Sequence, residues 1–233
     1  MDVTHQKRRT FVVLIILVFF SVVVFINIPK SVTPDVTPQI KNNPVATSPA
    51  IEALGTLEIK GRAPKTDYAR EKFGADWSSS GGCDTRNIIL NRDLGNVVVG
   101  ESCSVISGVL NDPYTGKLIG FVRGKTTSGD IQIDHVVALS DAWQTGAQQF
   151  TQVQRVKLAN DPLELLAVDG KANMEKSGSD AVSWLPPNKP FRCQYVARQI
   201  AVKQKYSLWV TESERNAISS ILQNCPNQML PSP

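Results

Sequence analysis

Between residues 129 and 176, two apolar runs are interrupted by a compact set of acid, imidazole and amide side chains, and this stretch constrains the chain most. Ile131 and Ile133 alternate with Gln132 and Asp134 ahead of His135, a period-two pattern that predicts a strand ending on an Asp-His pair. A second apolar run, 163–168, predicts another strand, and Asp169-Gly170 is a turn into a helix that carries Asn173 and Lys176. The order is strand, Asp-His, loop, strand, helix. The chain has two histidines, His5 and His135, so an imidazole-dependent reaction away from the amino terminus must use His135.

The 233 residues suit one ordinary domain with accessories. Lys7, Arg8 and Arg9 precede an apolar run over 11–28, near the lower limit of about 20 residues for a bilayer span. The exit, Asn27-Ile28-Pro29-Lys30, offers no small-x-small cleavage site. The expectation is an uncleaved signal anchor over 11–28 in the cell membrane. A cytoplasmic basic tail over 1–10 would leave the rest of the chain outside as a single-pass extracellular domain. A cleaved signal, giving a secreted protein, is the alternative. Five prolines among Ser, Thr and Asn make 29–52 a solvated tether; the folded domain is expected over 53–227 and a disordered tail over 228–233.

Formal net charge is +4, and Lys7, Arg8, Arg9 and Asp2 contribute +2 of it, leaving about +2 for the remainder. That excludes a DNA-coating protein with a strongly basic footprint and leaves room for a local basic groove. Cys83, Cys103, Cys193 and Cys225 are even in number and lie in the part expected outside, which favours two disulfides. No pair has Cys-x-x-Cys spacing and no histidine is near them, which argues against zinc. Four cysteines allow three connectivities; pairing of sequence neighbours, Cys83 with Cys103 and Cys193 with Cys225, is the working hypothesis.

Along the domain, 68–77 has helix-compatible spacing and 85–93 reads as a short helix. Residues 105–110 and 117–122 pair as a hairpin across the turn formers Asp112-Pro113-Tyr114-Thr115-Gly116. Helices follow over 140–145, 148–158 and 195–206, a strand over 208–210, and Thr211-x-x-Glu214 opens a final helix with a capping-box pattern.

The residues Asp134-His135, the segment Asn160-Asp161-Pro162-Leu163-Glu164-Leu165-Leu166 and Asn173-x-x-Lys176 resemble the HNH nucleases. The segments Cys83-Asp84-Thr85-Arg86-Asn87, Asp112-Pro113-Tyr114-Thr115-Gly116 and Trp184-Leu185-Pro186-Pro187 look like exported members of that family from Gram-positive bacteria. The likeness covers about 68–225. It implies an α+β fold, a ββα-metal (HNH) core embedded in a small mixed domain with two disulfides. It also implies a catalytic set of His135, Glu164 and Lys176, with Asp134 and Asn173 as metal ligands.

An unperturbed imidazole titrates near about 6.5 and is largely neutral at neutral pH, so His135 suits a general base; the competing reading is a structural histidine at a strand end. Asp134 and the Asn173 carbonyl oxygen are hard donors that suit magnesium, with manganese as a substitute; Asn173 as a helix cap is the plain alternative. Family members usually carry an Asn where Glu164 stands, holding the loop and orienting the histidine. Lys176, one turn after Asn173, is expected to reach a substrate phosphate. Arg123, Lys125, Arg155 and Lys157 flank the motif and could line a DNA groove. Arg86 is read as a structural partner of Asp84 or Asp93. No recognition helix, zinc finger or RNA-binding aromatic pair is present, so DNA is expected without sequence specificity, and no obligate protein partner is evident. The resemblance implies a metal-dependent extracellular endonuclease. The alternatives are a membrane-tethered DNA-binding or cell-envelope protein with a decayed HNH site, and a hydrolase of RNA or a wall polymer.

Overall fold

The computed structural model describes residues 49–125 and 127–231. Its helices are α1 (Pro49–Thr56), α2 (Thr85–Asp93), α3 (Leu139–Gln144), α4 (Gln152–Ala159), α5 (Gly170–Lys176), α6 (Arg192–Lys205) and α7 (Glu212–Leu222). Its strands are β1 (Ser79–Ser80), β2 (Cys83–Asp84), β3 (Leu94–Val99), β4 (Val105–Asn111), β5 (Leu118–Val122), β6 (Ile131–His135) and β7 (Leu165–Asp169). They form three small antiparallel sheets, β1-β2, β3-β4-β5 and β6-β7. This is the mixed α+β domain expected, and it carries the disulfides Cys83–Cys103 and Cys193–Cys225.

The hairpin β6-β7 sits at the junction of three apolar clusters. Leu165 and Ala167 face the cluster of Ile89, Leu110, Phe121, Ile131 and Ile133. Leu166 and Val168 face Tyr114, Val136, Tyr195 and Ile200. Alternation across a strand buried on both faces explains why 165–168 reads as an unbroken apolar run. Truncating Leu165, fully buried, to Ala would cost about 2–5 kcal/mol. The register pairs His135 with Leu165 and Ile131 with Asp169, so the helix that follows β7 begins beside the start of β6.

That helix is set by two adjacent residues. Asp169 caps it by accepting from the Ala172 amide at 2.8 Å, and a Cβ on Gly170 would meet the Gly129 carbonyl oxygen at 2.2 Å, so only glycine fits. The β4-β5 turn is tied to the same point, because Asp112 Oδ1 accepts from the Asp169 amide at 2.9 Å.

Several local expectations change. Residues 68–77 hold only a short 3-10 turn, Arg70–Phe73, with Gly74 in the positive-φ region ending it. Val210 makes an isolated parallel bridge to Ile59 in place of a strand. Helix α1 begins inside the span read as tether, burying Ala50, Ala53 and Leu54, and Leu230 of the expected tail packs against the core. Arg86 donates to the carbonyls of Ser128 and Ile131 at 3.1 Å each, because Asp84 is engaged by Asn87 and Asp93 by Arg92. Among the described residues no helix is long and apolar enough to cross a membrane; residues 11–28, on which the anchor reading rests, lie outside them.

Candidate active site

Strand alternation places Asp134 and His135 on opposite faces of β6, and each face has its own set of partners. On the first face, α5 lies over Gln132 and Asp134. Asn173 Nδ2 donates to Gln132 Oε1 at 2.8 Å. Lys176, one turn on, donates from Nζ to Asp134 Oδ1 at 3.0 Å and to the His135 carbonyl oxygen at 2.8 Å. The hydroxyl of the fully buried Tyr114 donates to Asp134 Oδ2. Burial pushes the Asp134 carboxyl up, and Lys176 and Tyr114 pull it back toward the ionised form.

On the second face, His135 is buried against Trp77, whose ring is stacked on the imidazole with centroids 5.7 Å apart and planes 9° from parallel. Its Nε2 lies 3.0 Å from the Ala159 carbonyl oxygen. A carbonyl only accepts, so Nε2 carries the proton and Nδ1 keeps the lone pair. Burial lowers the imidazole pKa to about 3, with the charges of Arg70 and Lys176 acting in the same direction and the Ala159 bond opposing them. The ring is thus neutral throughout the physiological range, by a wider margin than an unperturbed histidine.

Glu164 binds the backbone that follows His135. Its carbonyl accepts from Val136 N–H at 2.9 Å and its Oε2 from Val137 N–H at 3.1 Å, holding the chain as it leaves His135. The side chain is fully buried, Oε1 has no hydrogen-bond partner among the described residues, and burial holds its pKa well above the carboxylate range. A protonated carboxyl is neutral like the amide it replaces. Asn160 Oδ1 accepts from the Ser78 amide at 2.9 Å and so fixes the chain next to Trp77.

Asp134, His135 and Asn173 meet at a cleft of about 330 Å³ that is also lined by Lys65, Tyr68, Arg70 and Ser177. A smaller cleft of about 170 Å³ reaches His135 from the Trp77 side and is bordered by Arg70 and Asn160. Lys176 is fully buried, so it faces Asp134 and not a substrate phosphate. Arg123, Lys125, Arg155 and Lys157 border neither cleft. Arg123 donates to the Val105 carbonyl at 2.7 Å. Arg155 is bonded to the carbonyls of Lys72 and Phe150 and lies over Trp143.

A hard cation fits the donor set. The Asn173 amide nitrogen is engaged, which leaves its Oδ1 as the ligand atom, and each Asp134 oxygen with one partner retains a further lone pair. Asp169 caps α5, so Asn173 is not the cap. A second acidic group, Asp141, Asp180 and Glu214, is already paired with Lys203 and Arg62 at 2.6–3.1 Å and reads as a buried ion-pair cluster.

The family of GmrSD restriction endonucleases, C-terminal domain, matches residues 84–221. The chain belongs to that family. Alongside this GmrSD C-terminal domain match, a protein of Arthroderma benhamiae (strain ATCC MYA-4681 / CBS 112371) named "Uncharacterized secreted protein" is 38% identical over 195 residues, 83% of this chain and 92% of that one. No solved structure matches. The matched GmrSD segment contains Asp134, His135, Glu164, Asn173 and Lys176, whereas Lys65, Arg70 and Trp77 precede it. Sequence reasoning missed those three and Tyr114. Tyr114 reads as a turn residue, and only the tertiary fold brings 65–77 to His135.

Proposed function

We propose that this chain is an exported, metal-dependent endonuclease of HNH type that hydrolyses DNA phosphodiester bonds. The observation that carries the reading is the Nε2–H bond of His135 to Ala159, which leaves Nδ1 unprotonated on a residue that lines one cleft with Asp134 and Asn173. In this scheme Nδ1 accepts a proton from water as the water oxygen bonds to phosphorus. The bond from phosphorus to the 3′ oxygen breaks and the departing oxygen takes a proton from solvent water, giving a 5′ phosphate and a 3′ hydroxyl. Magnesium, or manganese in its place, when held by Asp134 and Asn173 would neutralise charge on the phosphate and the leaving oxygen. Glu164, Lys176 and Tyr114 act through others: Glu164 fixes the loop after His135, and Lys176 and Tyr114 fix the Asp134 carboxylate.

Export is supported by the name of the 38% identical relative and by two disulfides. A membrane tether rests on residues 11–28 alone, with the cleaved, secreted form as its alternative. The Lys176 ammonium already on Asp134 favours one second reading, a DNA-binding protein that does not cut.

The test is plasmid cleavage by the full chain in magnesium, manganese and chelator, beside His135→Ala. Metal-dependent cutting that His135→Ala abolishes supports the nuclease. Retention of DNA without cutting in any metal supports the binding protein, and cutting of RNA or a wall polymer in preference to DNA would reassign the substrate.

A further inference from the structure

The two clefts that meet at His135 share one cation, Arg70. Its guanidinium makes no hydrogen bond or ion pair with any described residue, and the residue is exposed. That separates it from Arg123 and Arg155, whose donors are taken by backbone carbonyls. The turn beneath it is held in place: Phe73 is buried against Trp143 at 6.4 Å between centroids, and Arg155 Nε donates to the Lys72 carbonyl at 3.1 Å. Lys65, on the wall of the larger cleft, has its ammonium 5.1 Å above the Tyr68 ring. The same cleft is lined by Asp134 and Asn173.

We propose that Arg70, with Lys65 beside it, is the phosphodiester-binding site of this protein, built by the 65–77 segment that precedes the family-matched residues. A guanidinium presents a planar pair of N–H donors that matches two phosphate oxygens, while an ammonium acts as a point charge. A diester seated on Arg70 would lie against His135 with its bridging oxygens facing Asn173, and its negative charge would offset the unpaired cation beside a buried imidazole. The inference rests on the nuclease reading and adds its substrate contact. It also moves the basic groove away from Arg123, Lys125, Arg155 and Lys157.

The experiment compares the full chain with Arg70→Ala, Arg70→Lys and Lys65→Ala. Plasmid cleavage is measured in magnesium, and binding of a short labelled duplex is measured in chelator over a range of salt. With no bonds to lose, Arg70→Ala should melt as the parent does. It should lower kcat/KM by about 10²-fold, in line with loss of one donor to a developing charge. It should also make the salt dependence of binding shallower by about one unit of slope. Arg70→Lys should restore the slope but only part of the rate, and Lys65→Ala should raise KM more than it lowers kcat. Arg70→Ala that cuts like the parent overturns the proposal while leaving the nuclease intact. If the parent fails to cut in any metal, the nuclease reading falls and the salt slope alone judges the site: unchanged in Arg70→Ala, it overturns the proposal; shallower, it supports it.

Discussion

Trp77 lies flat against the His135 imidazole, its plane 9° from parallel at 5.7 Å, and this ring comes from outside the matched family segment.

The first prediction concerns pH. His135 titrates near 3 in the fold against 6.5 ordinarily, so between those values the unfolded chain binds a proton that the native one refuses. Its contribution to stability is complete above pH 6.5 and is lost as pH falls through that window, at about 1.4 kcal/mol per pH unit. The pH–rate profile should show no imidazole inflection near 6.5. Trp77→Ala should move His135 up toward 6.5 and bring that inflection into view. Nitrogen NMR of the imidazole, following Nδ1, checks both; a parent histidine titrating at 6.5 would contradict the buried geometry.

Lys176 and Asp134 form a buried ion pair at 3.0 Å. Removing one partner leaves the other charge uncompensated, so Lys176→Met should destabilise by about 3–5 kcal/mol. The double variant with Asp134→Asn should recover much of that loss in denaturant unfolding while still failing to cut DNA. A single variant as stable as the parent would mean that the pair does not hold the two elements together.

Glu164 is read as a neutral carboxyl bonded to the Val137 amide. Glu164→Gln keeps the acceptor and the neutrality, and its unfolding midpoint should stay near that of the parent. Glu164→Ala leaves the amide unsatisfied and should cost about 1–3 kcal/mol, with a parallel fall in kcat as the loop after His135 loosens. Loss of activity in Glu164→Gln as large as in Glu164→Ala would show that ionisation, not loop support, is what the position supplies.

The local frame was legible where chemistry and periodicity are local. The two strands, the Asp169-Gly170 turn, the capped helix with Asn173 and Lys176 one turn apart, and the disulfide pairing all follow from neighbours in sequence. What was not legible depends on side chains crossing long separations. Lys176, one turn after Asn173, reads in the sequence as reaching toward a substrate phosphate, and only the packing of α5 onto β6 turns it inward. Arg155 looks like a groove cation until Trp143 is seen beneath it. Tyr114 and Arg70 carry no periodic signal, because a turn and a 3-10 segment are placed by what they pack against.

The two disulfides close sequence separations of 20 and 32 residues, each worth about 3 kcal/mol by loop entropy. A domain of this size has a net stability of only about 5–15 kcal/mol, so a large part of it exists only after the thiols are oxidised. Inside a reducing compartment the same polypeptide is a slackened precursor, and the redox state of its surroundings decides when the cleft around His135 acquires its final shape.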